Sequence, residues 1–530
     1  MPLALTTMIQ AMCSPATSLI TLLAVVLATG VMAIPSKELY FSDQLVDHLS
    51  PDSYDDRWTQ RYYTYSKHSK GPGFPIFYIM GGEGAIEPAF GIYYPFVAEH
   101  LARQFGGFVL QAEHRFYGKS QPLQGSDPSP EQRLSLINTE QAMMDYVRLL
   151  NYIQADLGCS TDRTSPEYCP VITVGGSYPG FLSAMMRVVH SNVVDISYAA
   201  SAPMKFYDQT VGSDEYYDHI TDVAESCSPG CSSSVRTTLS AVSVELQKAG
   251  DNHFSSVASA MGICEDTIPQ YMDTSRLFRD ELMMVVGYTF ANMNMAYYPP
   301  GKKTSLYKAC QIFQDEELMP LDKLSKFLSK MLGSAESENC FDLSSQLPSG
   351  ANATITAGDW SGVGTSNNGE IWDTQTCTYL VERIGFSQRF MFPNRPWTMD
   401  WMRSHCAARF GVEPRPYEYK NKWRFDDLAK KTNATRILFT NGLNDGWSVG
   451  GVKEDLSGSI LALNLKTGAH HSDLSHVGPS RHDTKEVKAA FKKISKVLGD
   501  WIEEVRNESK ERQVSLPKSL RLGSTGLVTE

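Results

Sequence analysis

Five stretches of the chain are short, almost unbroken apolar runs closed by glycine or polar turns. They are residues 76–80 (IFYIM), 108–112 (FVLQA), 171–174 (VITV), 437–440 (ILFT) and 460–465 (ILALNL). Runs of this length with no polar alternation predict strands covered on both faces, as in a parallel sheet. Between the second and third runs the period changes. Over residues 140–157 Met143, Val147, Leu150 and Leu157 recur at helical spacing, with Thr139 as the expected N-cap. Strands alternating with helices predict an α/β fold.

The middle of the chain breaks this pattern. Residues 206–335 are helical and polar-patterned, as in SSVRTTLSAVSVELQKA and LDKLSKFLSKML, with little strand signal. Such a block predicts a helical cap inserted at 206–335 between two parts of the core, 34–205 and 336–510. The apolar run 282–298 inside it is interrupted by Gly287, Asn292 and Asn294, which reads as a buried helix and not a membrane span. Residues 344–368, rich in Ser, Gly and Asn, read as loop. Residues 484–505 read as an amphipathic helix, and the polar tail 511–530 is expected to be disordered.

Residues 18–33 (SLITLLAVVLATGVMA) are an apolar stretch ending in small residues at a cleavage-like position, so 1–33 is expected to be a signal peptide. The expected route is the secretory pathway, ending in a lysosome or vacuole or outside the cell, with no stable membrane association. Sequons at Asn352, Asn433 and Asn507 fit that route. The 530 residues carry 48 basic and 59 acidic side chains, a net charge of −11. With no basic run, nucleic acid is excluded as a partner. Ten cysteines are present; Cys13 falls in the expected leader and nine remain. Cys159 and Cys169 flank a polar loop they could close. No C-x-x-C pair is found, so no structural zinc site is expected.

The chemistry concentrates where the run 171–174 enters Gly175-Gly176-Ser177-Tyr178-Pro179-Gly180 and then a helical pattern. A strand turning sharply into a helix through small residues is the context of a nucleophile elbow, which presents a serine hydroxyl above the sheet. The Tyr178 amide is then placed to meet a developing oxyanion. A serine needs a base, and the base an orienting acid. Asp445 follows the strand 437–440, and His470 follows the strand 460–465, each just past a strand end. His471 competes with His470. The group His470, His471, Asp473 and His476 does not have metal-site spacing, so no metal and no cofactor are implied. Gly82, in the turn after the first strand, is the second candidate oxyanion amide. Glu83 is either a plain loop carboxylate or a partner for a substrate amine.

The chain resembles the prolyl-bond serine exopeptidases, the family of lysosomal Pro-X carboxypeptidase, dipeptidyl peptidase II and thymus-specific serine protease. The likeness covers about residues 39–505. It is carried by Tyr40-Phe41, Val46-Asp47-His48, EHRFYG (113–118), Glu140-Gln141-Ala142, GGSY (175–178), AASAP (199–203), QTCT (375–378), FGVEPRP (410–416), Asn441-Gly442 through Trp447-Ser448, and GAHH (468–471). It implies an α/β-hydrolase core with a helical cap, a triad of Ser177, Asp445 and His470, and Trp447 lining a proline-accepting pocket. It also implies the bridges Cys264–Cys340 and Cys377–Cys406, and Cys310 with Cys231 or Cys227. The chain departs from the family at Gly82, Pro179 and Gly446, where Asn, Gly and Pro are usual.

The expected function is therefore a serine exopeptidase acting on peptides on the carboxyl side of proline or a small residue. Carboxypeptidase and dipeptidyl peptidase specificity both remain open, as does a homodimer. A lipase or esterase on the same fold and a catalytically inactive binding protein are the readings from other classes.

Overall fold

The computed structural model describes residues 34 and 36–515, except 51–55, 87–90, 125–129, 271, 334–339, 345–366, 388–390 and 475–478. The expected signal peptide, Asn352, His476 and the tail beyond residue 515 lie outside the described residues. Eight strands form one sheet: β1 (Lys37–Leu45), β2 (Arg57–Tyr65), β3 (Ile76–Ile79), β4 (Phe108–Ala112), β5 (Val171–Gly176), β6 (Ile196–Ala200), β7 (Ile437–Gly442) and β8 (Ile460–Leu465). Their order is β1-β2-β4-β3-β5-β6-β7-β8. The β1–β2 and β2–β4 pairs are antiparallel and all others parallel.

The parallel strands are the apolar runs, and β6 (ISYAA) completes them. β1 and β2 escape the same reading because they form the antiparallel edge. β1 (KELYFSDQL) carries polar and half-exposed positions through most of its length. The pleat divides the buried residues between two layers. Ile76 and Tyr78 of β3 join Met143, Tyr146 and Leu150 of the Thr139–Asp156 helix. Phe77 and Ile79 join Phe491, Ile494 and Leu498 of the Lys485–Ser515 helix on the other face. Each fully buried side chain of this size contributes about 1.5–3 kcal/mol. The first helix is capped by Asn138 rather than Thr139: the Asn138 side chain accepts the Gln141 N–H at 2.9 Å. The last helix runs to Ser515, ten residues past its expected end and five into the expected tail.

Between β6 and β7 lie the helices Met204–Tyr207, Glu215–Cys227, Cys231–Ala249, Phe254–Ala260, Ser275–Met295, Ser305–Phe313 and Pro320–Met331. Helices also fill the stretch after residue 335, among them Asn367–Thr376 and Met399–Phe410. These later helices pack on the core around the elbow: Trp372 lies 5.0 Å from the Tyr178 ring, and Tyr419 Oη accepts the Thr139 N–H at 3.0 Å. The fold is an α/β-hydrolase core with an inserted helical block.

Disulfides join Cys159 to Cys169, Cys231 to Cys310, Cys264 to Cys340 and Cys377 to Cys406. Cys227 is a half-buried free thiol. Cys231 is therefore the partner of Cys310. Among the described residues no helix is long and apolar enough to cross a membrane.

Candidate active site

Ser177 sits between the last residue of β5 and the first of the Tyr178–Val189 helix, with φ 66° and ψ −134°. A positive φ at a non-glycine residue costs on the order of 1–3 kcal/mol and is kept only where the surroundings impose it. Here the Ser177 N–H is tied to Ala200 O of β6 at 2.9 Å, and Ser177 O accepts from the Gly180 and Phe181 amides at 2.8 and 3.1 Å. Tyr178 opens the helix, where an N–H has no intrahelical acceptor and is available to a ligand. Its buried side chain is held away from the turn, with its hydroxyl 3.1 Å from His114 Nε2 and 3.2 Å from Gln375 Nε2.

Asp445 and His470 emerge from the ends of β7 and β8, which pair in parallel through Gly442 and Leu465. The His470 Nδ1 lies 2.5 Å from Asp445 Oδ2, with the aspartate fully buried and the histidine half-buried. The other oxygen, Oδ1, accepts the Trp447 N–H at 3.1 Å. With Nδ1 donating to a carboxylate, the neutral imidazole carries its lone pair on Nε2, the form a general base requires.

Of the two adjacent histidines, His470 meets the acid and His471 serves the scaffold. His471 has φ 33°, donates its N–H to Ser201 Oγ at 2.9 Å, and packs edge-on to Tyr94 at 6.2 Å. Its ring lies against Gly176, the residue before Ser177; a Cβ there would come 2.7 Å from the imidazole. The histidine turn and the serine turn are thus in van der Waals contact. Asp473 secures the same turn from below, accepting from Tyr198 Oη at 2.6 Å and Thr440 Oγ1 at 2.5 Å. Burial pushes its carboxyl up, with these hydrogen bonds opposing.

Gly82 follows β3 and lies against Pro179: a Cβ at position 82 would come 2.4 Å from Pro179 Cγ. Glu83 is half-buried; desolvation raises its carboxyl, and the nearby His470 is among the groups that oppose the rise. Trp447 is half-buried and packs 5.2 Å from Phe206 and 4.8 Å from Tyr216, forming an aromatic group beside Asp445. Phe206 and Tyr216 carry no sequence signal of their own, and Ser201 and Asp473 stand out only within the AASAP motif and the histidine-rich turn, because their roles depend on chain segments brought together by the sheet.

Residues 44–494 match the family serine carboxypeptidase S28. The chain belongs to this family. It is a serine-type peptidase of the S28 group, acting on peptides. Its relatives include lysosomal Pro-X carboxypeptidase of Mus musculus, 28% identical over 450 residues, covering 82% of this chain and 83% of that protein. Prolyl carboxy peptidase like protein 5 of Caenorhabditis elegans is 27% identical, covering 85% and 87%. Thymus-specific serine protease of Mus musculus is 27% identical, covering 86% and 87%. Membership of S28 replaces the lipase or esterase reading.

Proposed function

We propose that this S28 peptidase is an exopeptidase that cleaves on the carboxyl side of proline, or of a small residue, near a chain end, through an acyl-enzyme on Ser177. The Asp445–His470 contact at 2.5 Å, on a turn that packs against the Ser177 elbow, carries this reading. Ser177 Oγ attacks the scissile carbonyl carbon while His470 Nε2 takes its proton. The C–N bond then breaks as His470 gives that proton to the leaving amine. Water, giving a proton to His470, adds to the acyl carbonyl; Ser177 Oγ leaves and is reprotonated. Asp445 holds the imidazole tautomer throughout. The Tyr178 and Gly82 amides receive the oxyanion; one such donor is worth roughly 100- to 1000-fold in kcat. Trp447, with Phe206 and Tyr216, accepts the proline ring.

The helices of 206–335 act as a cap that admits chain ends only. The names of the relatives support a Pro-X carboxypeptidase. Glu83 supports the other specificity, because a desolvated carboxylate beside the base suits a substrate amine. Hydrolysis of a blocked Pro-X peptide but not of an X-Pro-fluorophore establishes the carboxypeptidase; the reverse establishes the dipeptidyl peptidase. Cleavage of neither sinks the prolyl exopeptidase reading. Four disulfides support an oxidising compartment. The named lysosomal relatives favour a lysosome or vacuole over secretion. Asn433 and Asn507 are exposed and are the glycan acceptors among the described residues.

A further inference from the structure

The loops that carry Asp445 and His470 belong to the sheet, yet both are gripped by the end of one helix of the inserted block. The Ser275–Met295 helix finishes beside them. Asn294 Oδ1 accepts the Gly446 N–H at 2.7 Å, and Met295 O accepts the His470 N–H at 3.2 Å. Two consecutive residues thus bind the residue after the acid and the base itself. Met295 can do so because the last carbonyls of a helix have no intrahelical partner. A neighbouring helix adds a third hold, with His219 Nε2 donating to Leu443 O at 3.0 Å. Burial pushes the His219 imidazole down, with the Leu443 hydrogen bond opposing.

Asn294 is fully buried, and with Oδ1 turned to the Gly446 amide its Nδ2 has no hydrogen-bond partner. An apolar residue would avoid the cost of that orphaned donor. The acceptor it offers to Gly446 accounts for an asparagine at this fully buried position of the helix. Gly446 is matched to the arrangement: a Cβ would come 2.8 Å from the Tyr216 ring and 3.1 Å from Ile220. A proline, usual there in the resembled family, would have no N–H to give.

We propose that Asn294 is a positioning residue for the Asp445–His470 pair, so that the helical block sets the spacing of acid and base as well as limiting access. The proposal rests on the triad reading above. A displacement of about 1 Å at a catalytic group costs on the order of 100-fold in rate.

The test uses Asn294→Leu, which keeps the volume and removes the acceptor, with Phe290→Leu as control. Phe290 lies on the same helix, one turn before Asn294, and its ring is buried among Phe313, Phe327 and Phe392. Asn294→Leu should lower kcat about 10- to 100-fold with KM changed less than about 3-fold, whereas Phe290→Leu should lower Tm and leave kcat unchanged. Should Asn294→Leu not fold, Asn294→Ala is read by the same kcat and KM criteria. The proposal is overturned if kcat of the Asn294 variant stays within about 2-fold of wild type, if KM alone changes, or if Phe290→Leu loses kcat equally at the same Tm loss. Ser177→Ala is run alongside: an active Ser177→Ala protein would remove the triad reading itself, independently of Asn294.

Discussion

The ring of Pro179 occupies the space that a side chain on Gly82 would need. A Cβ at position 82 would lie 2.4 Å from Pro179 Cγ and 2.9 Å from its Cδ. Two departures from the resembled family, glycine for asparagine and proline for glycine, therefore lie in contact beside the elbow. Gly82→Asn alone should reduce kcat on the order of 100-fold by displacing the turn. Adding Pro179→Gly should recover most of that loss. Steady-state kinetics on the four proteins of the cycle measure the coupling, and additive losses would show that the two positions are independent.

Trp447 packs edge-on to Phe206 and tilted to Tyr216 beside the buried Asp445. If this group accepts proline, Trp447→Ala should lower kcat/KM for a prolyl substrate by roughly 10- to 200-fold. The loss for an alanyl substrate should be smaller. Equal losses for both substrates would mean that Trp447 supports the Asp445 loop and not the pocket.

The elbow of the chain was legible because its residue types are dictated locally. A buried strand, a crowded turn and a helix start leave few choices, and Ser177 falls where that geometry demands. Asp445 and His470 were legible for a related reason: each stands just past the C-terminal end of a parallel strand. β1 and β2 were not: most of β1 is exposed or half-exposed, and β2, though mostly buried, carries Gln60 and Arg61 among its buried aromatics, so neither shows an apolar run. Asn294 left only a faint mark, as one of three residues interrupting an apolar stretch, and its partner Gly446 lies 152 positions away. The choice of Cys231 over Cys227 likewise depends on how two helices pack.

Burial pushes the His114 imidazole down to about 4, with its hydrogen bond to Arg115 O opposing. Between about 4 and the ordinary 6.5 the unfolded chain binds a proton that the folded one refuses. Stability should therefore fall as pH drops through that window, by about 3 kcal/mol from this residue. His114→Gln should flatten the dependence of Tm on pH between 6.5 and 4, whatever its effect on Tm at neutral pH. An unchanged slope would show that His114 does not contribute.

The Cys231–Cys310 bridge joins two helices of the inserted block across a sequence separation of 79. In the chain-entropy account, a loop of this length is worth about 4–5 kcal/mol. A Cys231→Ala/Cys310→Ala protein should lose Tm by several degrees, while Cys227→Ser should change it little. A large loss from Cys227→Ser alone would mean that position 227 can bridge to Cys310.

The proposed chemistry begins with Ser177 as the nucleophile. The direct measurement is the mass and site of the adduct formed when the intact protein reacts with a fluorophosphonate. One adduct mapping to Ser177, with loss of peptide hydrolysis and no labelling of Ser177→Ala, is the predicted result. Labelling at another residue, or peptide hydrolysis by Ser177→Ala at the wild-type rate, would contradict it.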